Sequence, residues 1–488
     1  MSIVSAFFPP MIACTCLVYY LLPHRFRWGW LLAVSYIFYL TFDVRYAVFL
    51  LISTFSTYIS GILISNSATA GKKKLWVVLT CVLNFGVLIV FKYLKFLGSA
   101  YAVIASAVGI KASSPTFTLL LPIGISFYTF QAITYTIDVY RGDVKPEDHF
   151  GKYALFVSFF PTLVSGPIQK AKEMLPKFDE VHEFDYEKAR RGGLLILYGY
   201  FQKMAVADRL GVVVDTVFGH PAQYQGAVSV LASLFYTLQI YFDFAGYSNI
   251  AIGVSEMLGF DLKANFNRPY FSETVQEFWR RWHVSLSTWF RDYLYIPLGG
   301  NRCSVPRQAL NLMIVSGVCG LWHGPSFAFL AWGLLHGSYQ VIGKFTRRFR
   351  NGLWKKLGVN PASGQLHVPR VAATFLLVSF AWIFFRMNSL RNALAFIQGM
   401  FRFDLPALWN GAIFNLGLSA PEFCAVCIGI LVIWVVDSLS RKMDLRDWIL
   451  RRGTAVRWSF YVATVLVLLT FGIYGEATST QQFIYAKF

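Results

Sequence analysis

Apolar runs long enough to cross a bilayer recur along the whole chain, near residues 4–22, 29–43, 46–65, 76–97, 117–139, 193–216, 227–258, 308–322, 326–343, 369–386, 423–440 and 458–475. A hydrocarbon core about 30 Å thick needs about 20 apolar residues in a helix. The pattern therefore predicts an all-α polytopic membrane protein with about eleven transmembrane helices, in one membrane domain over residues 1–488. Three runs break the rhythm. "ALFVSFFPTLVSGP" (154–167) is short and holds Pro161 and Gly166, 227–258 is too long for one span, and "FWRRWHVSLSTWFRDYLYIPLGG" (278–300) is too charged for lipid. Irregular backbone at membrane depth survives only against protein or water, so these stretches are expected to be re-entrant or interfacial.

Lys and Arg placement orients the spans. "HRFR" (24–27) and "GKKK" (71–74) follow the first and third runs, which sets both in the cytoplasm and the N-terminus outside. "RKMDLRDWILRRGTAVR" (441–457) is basic too, and one span follows it, so the C-terminus is expected outside. The loops 141–152 and 169–191 both read as cytoplasmic, which requires 154–167 to dip in and return. The start of the chain carries no small-residue cleavage site, so no cleavable signal peptide is expected. No internal repeat and no separately folding soluble stretch is evident.

Composition agrees: 56% of residues are hydrophobic, 18% aromatic and only 14% charged, where a soluble domain carries about a quarter charged. The net charge of +19 lies scattered in short loops, the way a membrane protein meets anionic lipid, and excludes a nucleic-acid reading. The seven cysteines include a C-x-x-C at Cys424 and Cys427 inside an apolar run without His or acidic neighbours. They read as small apolar core residues, with no metal site.

Candidate chemistry gathers in two places. In "NFNRPYFSETVQEFWRRWHVSLSTWFRDYLYIPLGGNR" (265–302), Pro269 blocks a helix and Thr274-x-x-Glu277 makes a capping box that starts one. Val275, Phe278, Trp279, Trp282, Leu286, Trp289, Phe290 and Tyr293 then recur at helical spacing, which predicts one amphipathic interfacial helix with His283 toward its apolar side. Spacing alone also allows Arg280, Arg281 and His283 to be lipid anchors. The second place is "CGLWHGPSFAFLAWGLLHG" (319–337). On one continuous helix His323 and His336 would lie about 140° apart with about 20 Å of rise between them. Gly324-Pro325 predicts a break instead, with Pro325 opening the next helix and His323 presented to a cavity. A histidine there can serve as a general base, whereas His336 reads as a packing residue. Asp243, in "QIYFDFAGYSN" (239–249), falls mid-membrane and is either functional or the orienting partner of a buried arginine or histidine.

Together "RPYFSETVQEFWRRWHVSLSTWFRDYLYIPLGGNR" and "GLWHGPSFAFLAWGLLHG" resemble the membrane-bound O-acyltransferase superfamily, in particular its bacterial branch of alginate O-acetylation and teichoic-acid D-alanylation proteins. "LPIGISFYTFQAITYTIDVYRG" (121–142), "FFPTLVSGPI" (159–168) and "QIYFDFAGYSNIAIG" (239–253) support the likeness, which covers roughly residues 10–400 with its core motifs in 121–340. The resemblance implies tilted helices around a funnel or tunnel with re-entrant pieces. It also implies catalytic roles for His323, in Trp322-His323-Gly324, and for His283, in Arg281-Trp282-His283, with Trp322 and Arg281 supporting. The activity implied is transfer of an acyl group, acetyl in the first instance, from a cytoplasmic thioester such as acetyl-CoA to an extracytoplasmic polysaccharide, in a bacterial inner membrane. No cofactor is expected to stay bound. An extracytoplasmic SGNH-type transferase is the implied partner. A D-alanyl or longer-acyl transferase of the same fold remains open, as does a proton-coupled transporter using His323 and Asp243. The tail 477–488 ends in "FIYAKF". Three aromatics in six residues suit an interfacial belt, but the resemblance also implies that Tyr485 relays the acyl group outward, with Phe483 and Phe488 as anchors. Ala486 and Lys487 depart from the more aromatic form of that motif.

Overall fold

The structure, a computed structural model of the whole chain, describes residues 3–109, 122–361, 363–387, 389–402, 405–408, 410–474 and 483–484. The described residues form helices joined by turns and loops, with no strand among them. Among the described residues, six helices are long and apolar enough to cross a membrane: Val44–Asn66, Ala70–Ala102, Ala227–Met257, Gly364–Met387, Ala420–Leu439 and Thr454–Phe471. That is fewer than the apolar runs predict, and the run near 117–139 lies partly outside the described residues. Exposed Val462, Val465, Leu466 and Leu469 on the last of the six make an apolar face of the kind a spanning helix presents to lipid. Cys424 and Cys427 are exposed on Ala420–Leu439, not in a core as expected.

The chain forms two compact units, Met1–Ile196 with Ile250–Lys263, and Leu197–Asn249 with Ala264–Lys487. In the first, buried polar side chains tie helix to helix: Ser53 Oγ donates to Asn84 Oδ1 at 2.7 Å, and Lys92 Nζ to Ser126 Oγ at 3.2 Å. The expected irregularity at 154–167 is present. Helix Phe150–Ser158 stops, and residues 159–167 continue as non-helical backbone that is buried throughout. Protein groups satisfy it: Phe160 N–H donates to Ser35 Oγ at 3.1 Å, and Gln169 N–H to the side-chain oxygen Oε1 of Gln131 at 3.1 Å. That is the condition under which non-helical backbone is tolerated at depth.

Two sequence expectations need correction. Ala227–Met257 is one unbroken helix of 31 residues. At about 1.5 Å per residue it reaches about 46 Å, beyond the bilayer core, but 72% of its most apolar window is buried in protein, so lipid thickness does not limit it. Conversely, the helix expected through His283 is two short helices, Val275–Arg281 and Val284–Phe290, followed by a π-helical turn Arg291–Tyr295. Thr274 caps the first as expected, its hydroxyl accepting from Glu277 N–H at 3.1 Å. The reciprocal bond differs: Glu277 Oε2 accepts from Glu273 N–H, not from the Thr274 amide.

Candidate active site

Helix Val305–His323 ends on His323, and Gly324 leaves the helix with extended backbone. Ser326 then caps Phe327–Phe345, its hydroxyl accepting from Phe329 N–H at 3.3 Å. The break falls where the sequence placed it, but Pro325 precedes the cap residue and is not inside the first turn. A Cβ on Gly333 would collide with the Ser316 carbonyl oxygen, and one on Gly320 with that of Phe329. Only glycine lets the two helices approach this closely, backbone against backbone.

That hairpin sets both histidines against one indole. The Trp332 ring lies 5.0 Å from His323 and 5.0 Å from His336. Trp382 stacks on Trp332 at 5.4 Å, and Phe385 sits 5.2 Å from His323. Trp279 Nε1–H donates to His336 Nδ1 at 3.2 Å. Indole N–H is a donor only, so the proton of a neutral His336 resides on Nε2.

His283 joins the same aromatic body. It lies 6.3 Å from Trp322, whose ring is 4.8 Å from His323. It is the hinge between the two short helices, with φ of 42°, a left-handed conformation that is uncommon for a residue other than glycine. Asn265 holds the hinge. Its backbone carbonyl accepts from Val284 N–H at 2.9 Å, and its side-chain Oδ1 accepts from Ser285 N–H at 3.1 Å and Ser285 Oγ at 2.9 Å. His283 Nδ1 lies 3.3 Å from the same Oδ1. A donor at Nδ1 puts the basic lone pair on Nε2, the opposite tautomer to His336. His283, His323 and His336 are 0%, 1% and 1% exposed, so burial does not rank them; neighbours do.

A cavity of about 540 Å³ opens beside the hairpin, lined by Arg280, Arg291 and Lys344 as well as Gln340, Trp332 and His336. Three cations in its lining suit an anionic ligand. Trp332 belongs both to this lining and to the surroundings of His323.

The remaining sequence candidates separate. Arg281 bonds Glu277 one turn back at 2.5 Å, a brace within its own helix. Asp243 has neither arginine nor histidine as its partner: Lys203 Nζ lies 2.5 Å from its Oδ1. Tyr485 lies outside the described residues. Sequence reasoning missed Asn265, Trp279, Trp332 and Lys203. Only Lys203 carried a local signal, a cation inside the apolar run 193–216.

Comparison with known proteins places these motifs. The sequence model of the membrane-bound O-acyltransferase family matches residues 148–357, which include His283, His323 and His336. A probable alginate O-acetylase of Pseudomonas aeruginosa is 39% identical over 388 residues, 79% of this chain and 72% of that protein. A peptidoglycan O-acetyltransferase of Helicobacter pylori is 33% identical over 404 residues, 76% of this chain and 73% of that protein. A teichoic acid D-alanyltransferase of Streptococcus thermophilus is 31% identical over 266 residues, 50% of this chain and 63% of that protein.

Proposed function

We propose that this chain, which belongs to the membrane-bound O-acyltransferase family, moves an acetyl group from a cytoplasmic thioester across the membrane for O-acylation of an extracytoplasmic polysaccharide. It is a multi-pass membrane O-acyltransferase. The observation that carries the fuller reading is the pairing of a basic-walled cavity with a buried histidine cluster. Arg280, Arg291 and Lys344 suit the phosphates of a donor such as acetyl-CoA, which holds the charged head at the cavity while its thin thioester arm reaches inward. At the reacting centre the acceptor oxygen attacks the thioester carbonyl and the thiol leaves. His323 takes the acceptor's proton and passes it to the departing thiolate, while His283, its lone pair on Nε2, helps orient the reactants from the other side. Alignment of the two reactants in a dry, aromatic-walled site supplies much of the rate gain.

The membrane is the bacterial inner membrane, with both termini outside. Tyr485 receives the acyl group as an aryl ester, whose phenolate leaves more readily than an alkoxide, and an SGNH-type transferase takes the acyl group to the polymer. The D-alanyltransferase relative favours one second reading, a D-alanyl donor for the same fold. The proton-coupled transporter is set aside, because the family is one of acyltransferases.

The test is purified protein in nanodiscs supplied with radiolabelled acetyl-CoA. Thiol release is expected without any proton gradient, and loss of about 10²–10⁴-fold in His323→Ala, the usual worth of a general base. Undiminished release by a well-folded His323→Ala protein would remove His323 from the chemistry.

A further inference from the structure

Lys203 lies in a π-helical stretch, Phe201–Ala207, and is buried between two carboxylates. Its Nζ is 2.8 Å from Asp208 Oδ1 and 2.5 Å from Asp243 Oδ1. One cation thus faces two anions in a place where side-chain exposure is 1% for Lys203 and 3% for Asp243. Buried charge demands further donors. The donor on the second oxygen comes from the far end of the chain: Ile484 N–H donates to Asp243 Oδ2 at 2.9 Å. The preceding residue is seated as well. Lys203 Nζ lies 4.4 Å from the centre of the Phe483 ring, a cation–π contact. Tyr247, one helical turn beyond Asp243, meets the same ring edge-on at 4.9 Å. Phe483 is 4% exposed, unlike the frayed end expected of most chains.

We infer that Asp243, charge-balanced by Lys203, is the receptor for the protein's own C-terminal segment, gripping Phe483–Ile484 through one backbone hydrogen bond and one aromatic contact. Asp243 is then a positioning residue. The surplus negative charge of the cluster suits an N–H donor, and the Lys203 ammonium suits the face of an aromatic ring, so the receptor reads the sequence aromatic-then-amide. Its consequence for the reaction is that the residue after Ile484, Tyr485, starts from a tethered neighbour. The grip itself does not depend on whether Tyr485 carries an acyl group.

Hydrogen–deuterium exchange of the C-terminal peptide in the full-length protein tests the grip without any activity readout. In the native protein this peptide is expected to exchange slowly. Asp243→Leu removes the acceptor while Asp208 still balances Lys203, and is expected to speed exchange about tenfold or more, the worth of one charge-assisted hydrogen bond. Asp243→Asn keeps an acceptor oxygen in place and is expected to stay nearer the native rate. Phe483 lies in no helix, and Phe483→Ala leaves the ion cluster whole, so it releases the tail even if Asp243→Leu proves hard to fold. Peptides from Val305–Phe345 should be unchanged in all three. Exchange of the native C-terminal peptide at the rate of unprotected chain would overturn the inference, as would native-like protection in both Asp243→Leu and Phe483→Ala. Recovery of polymer acylation in Asp243→Asn but not in Asp243→Leu is the accompanying activity result.

Discussion

His283 spends backbone energy to be where it is. A left-handed conformation costs a non-glycine residue about 1–2 kcal/mol, and strain of this kind clusters at functional sites. A residue needed only as a hinge would tolerate glycine, which adopts φ of 42° freely. His283→Gly is therefore expected to insert and fold, yet to lose about 10²-fold or more in acyl transfer; native-level turnover would reduce His283 to a hinge. His336 separates from His323 by a different measurement. It faces the basic-walled cavity and is held by Trp279, so His336→Ala is expected to raise KM for the donor with little change in kcat. His323→Ala is expected to lower kcat instead. A kcat loss of equal size in both would place the chemistry at both histidines.

Among the elements, the hairpin of Val305–His323 and Phe327–Phe345 decides whether the histidines share an aromatic wall. Its closeness rests on glycines, which makes it easy to disturb selectively. Gly333→Val would push side-chain carbon into Ser316 O and Gly320. Overpacking of this kind costs about 1–3 kcal/mol, and spreading the hairpin moves Trp332 and His336 together away from His323. The midpoint of thermal unfolding in detergent and the turnover rate are both expected to fall. Gly343, in the same helix, has no heavy atom within 4 Å of the place a methyl group would take, so Gly343→Ala is expected to leave both unchanged or slightly improved. Equal behaviour of the two variants would mean that the close approach of the helices is unimportant. The capping at Thr274 and the break at Gly324 were both legible, because caps and breaks are written in three or four consecutive residues. The hinge at His283 was not. The apolar spacing runs through it without interruption, and what turns the chain there is Asn265, 18 residues upstream.

Across the whole molecule, the described residues are mostly helix, and six of the helices are apolar enough to cross a membrane. The proposed reading expects an extracytoplasmic partner to carry the acyl group to the polymer. Acyl transfer to polymer should occur when an SGNH-type transferase is added to the reconstituted protein and not without it. Tyr485→Phe keeps the ring and removes the hydroxyl, so it is expected to block transfer to polymer while leaving membrane insertion and exchange protection of the tail unchanged. Full polymer acylation by Tyr485→Phe would return the tail to the role of an aromatic anchor.

The sequence by itself determined the class of molecule, because the length and apolarity of a run answer directly to bilayer thickness. It also determined the cap at Thr274 and the break at Gly324, and it identified the residues that carry the family's motifs. Tertiary structure alone decided what those residues meet. Trp279 reaches His336 across 57 residues, and Lys203 reaches Asp243 across 40. No periodicity records such distances, since each partner looks locally like one polar or aromatic residue among many. The unbroken Ala227–Met257 helix shows the same limit from the other side. Bilayer thickness bounds a helix surrounded by lipid, but this one is mostly sheathed in protein, and only the packing around it reveals that.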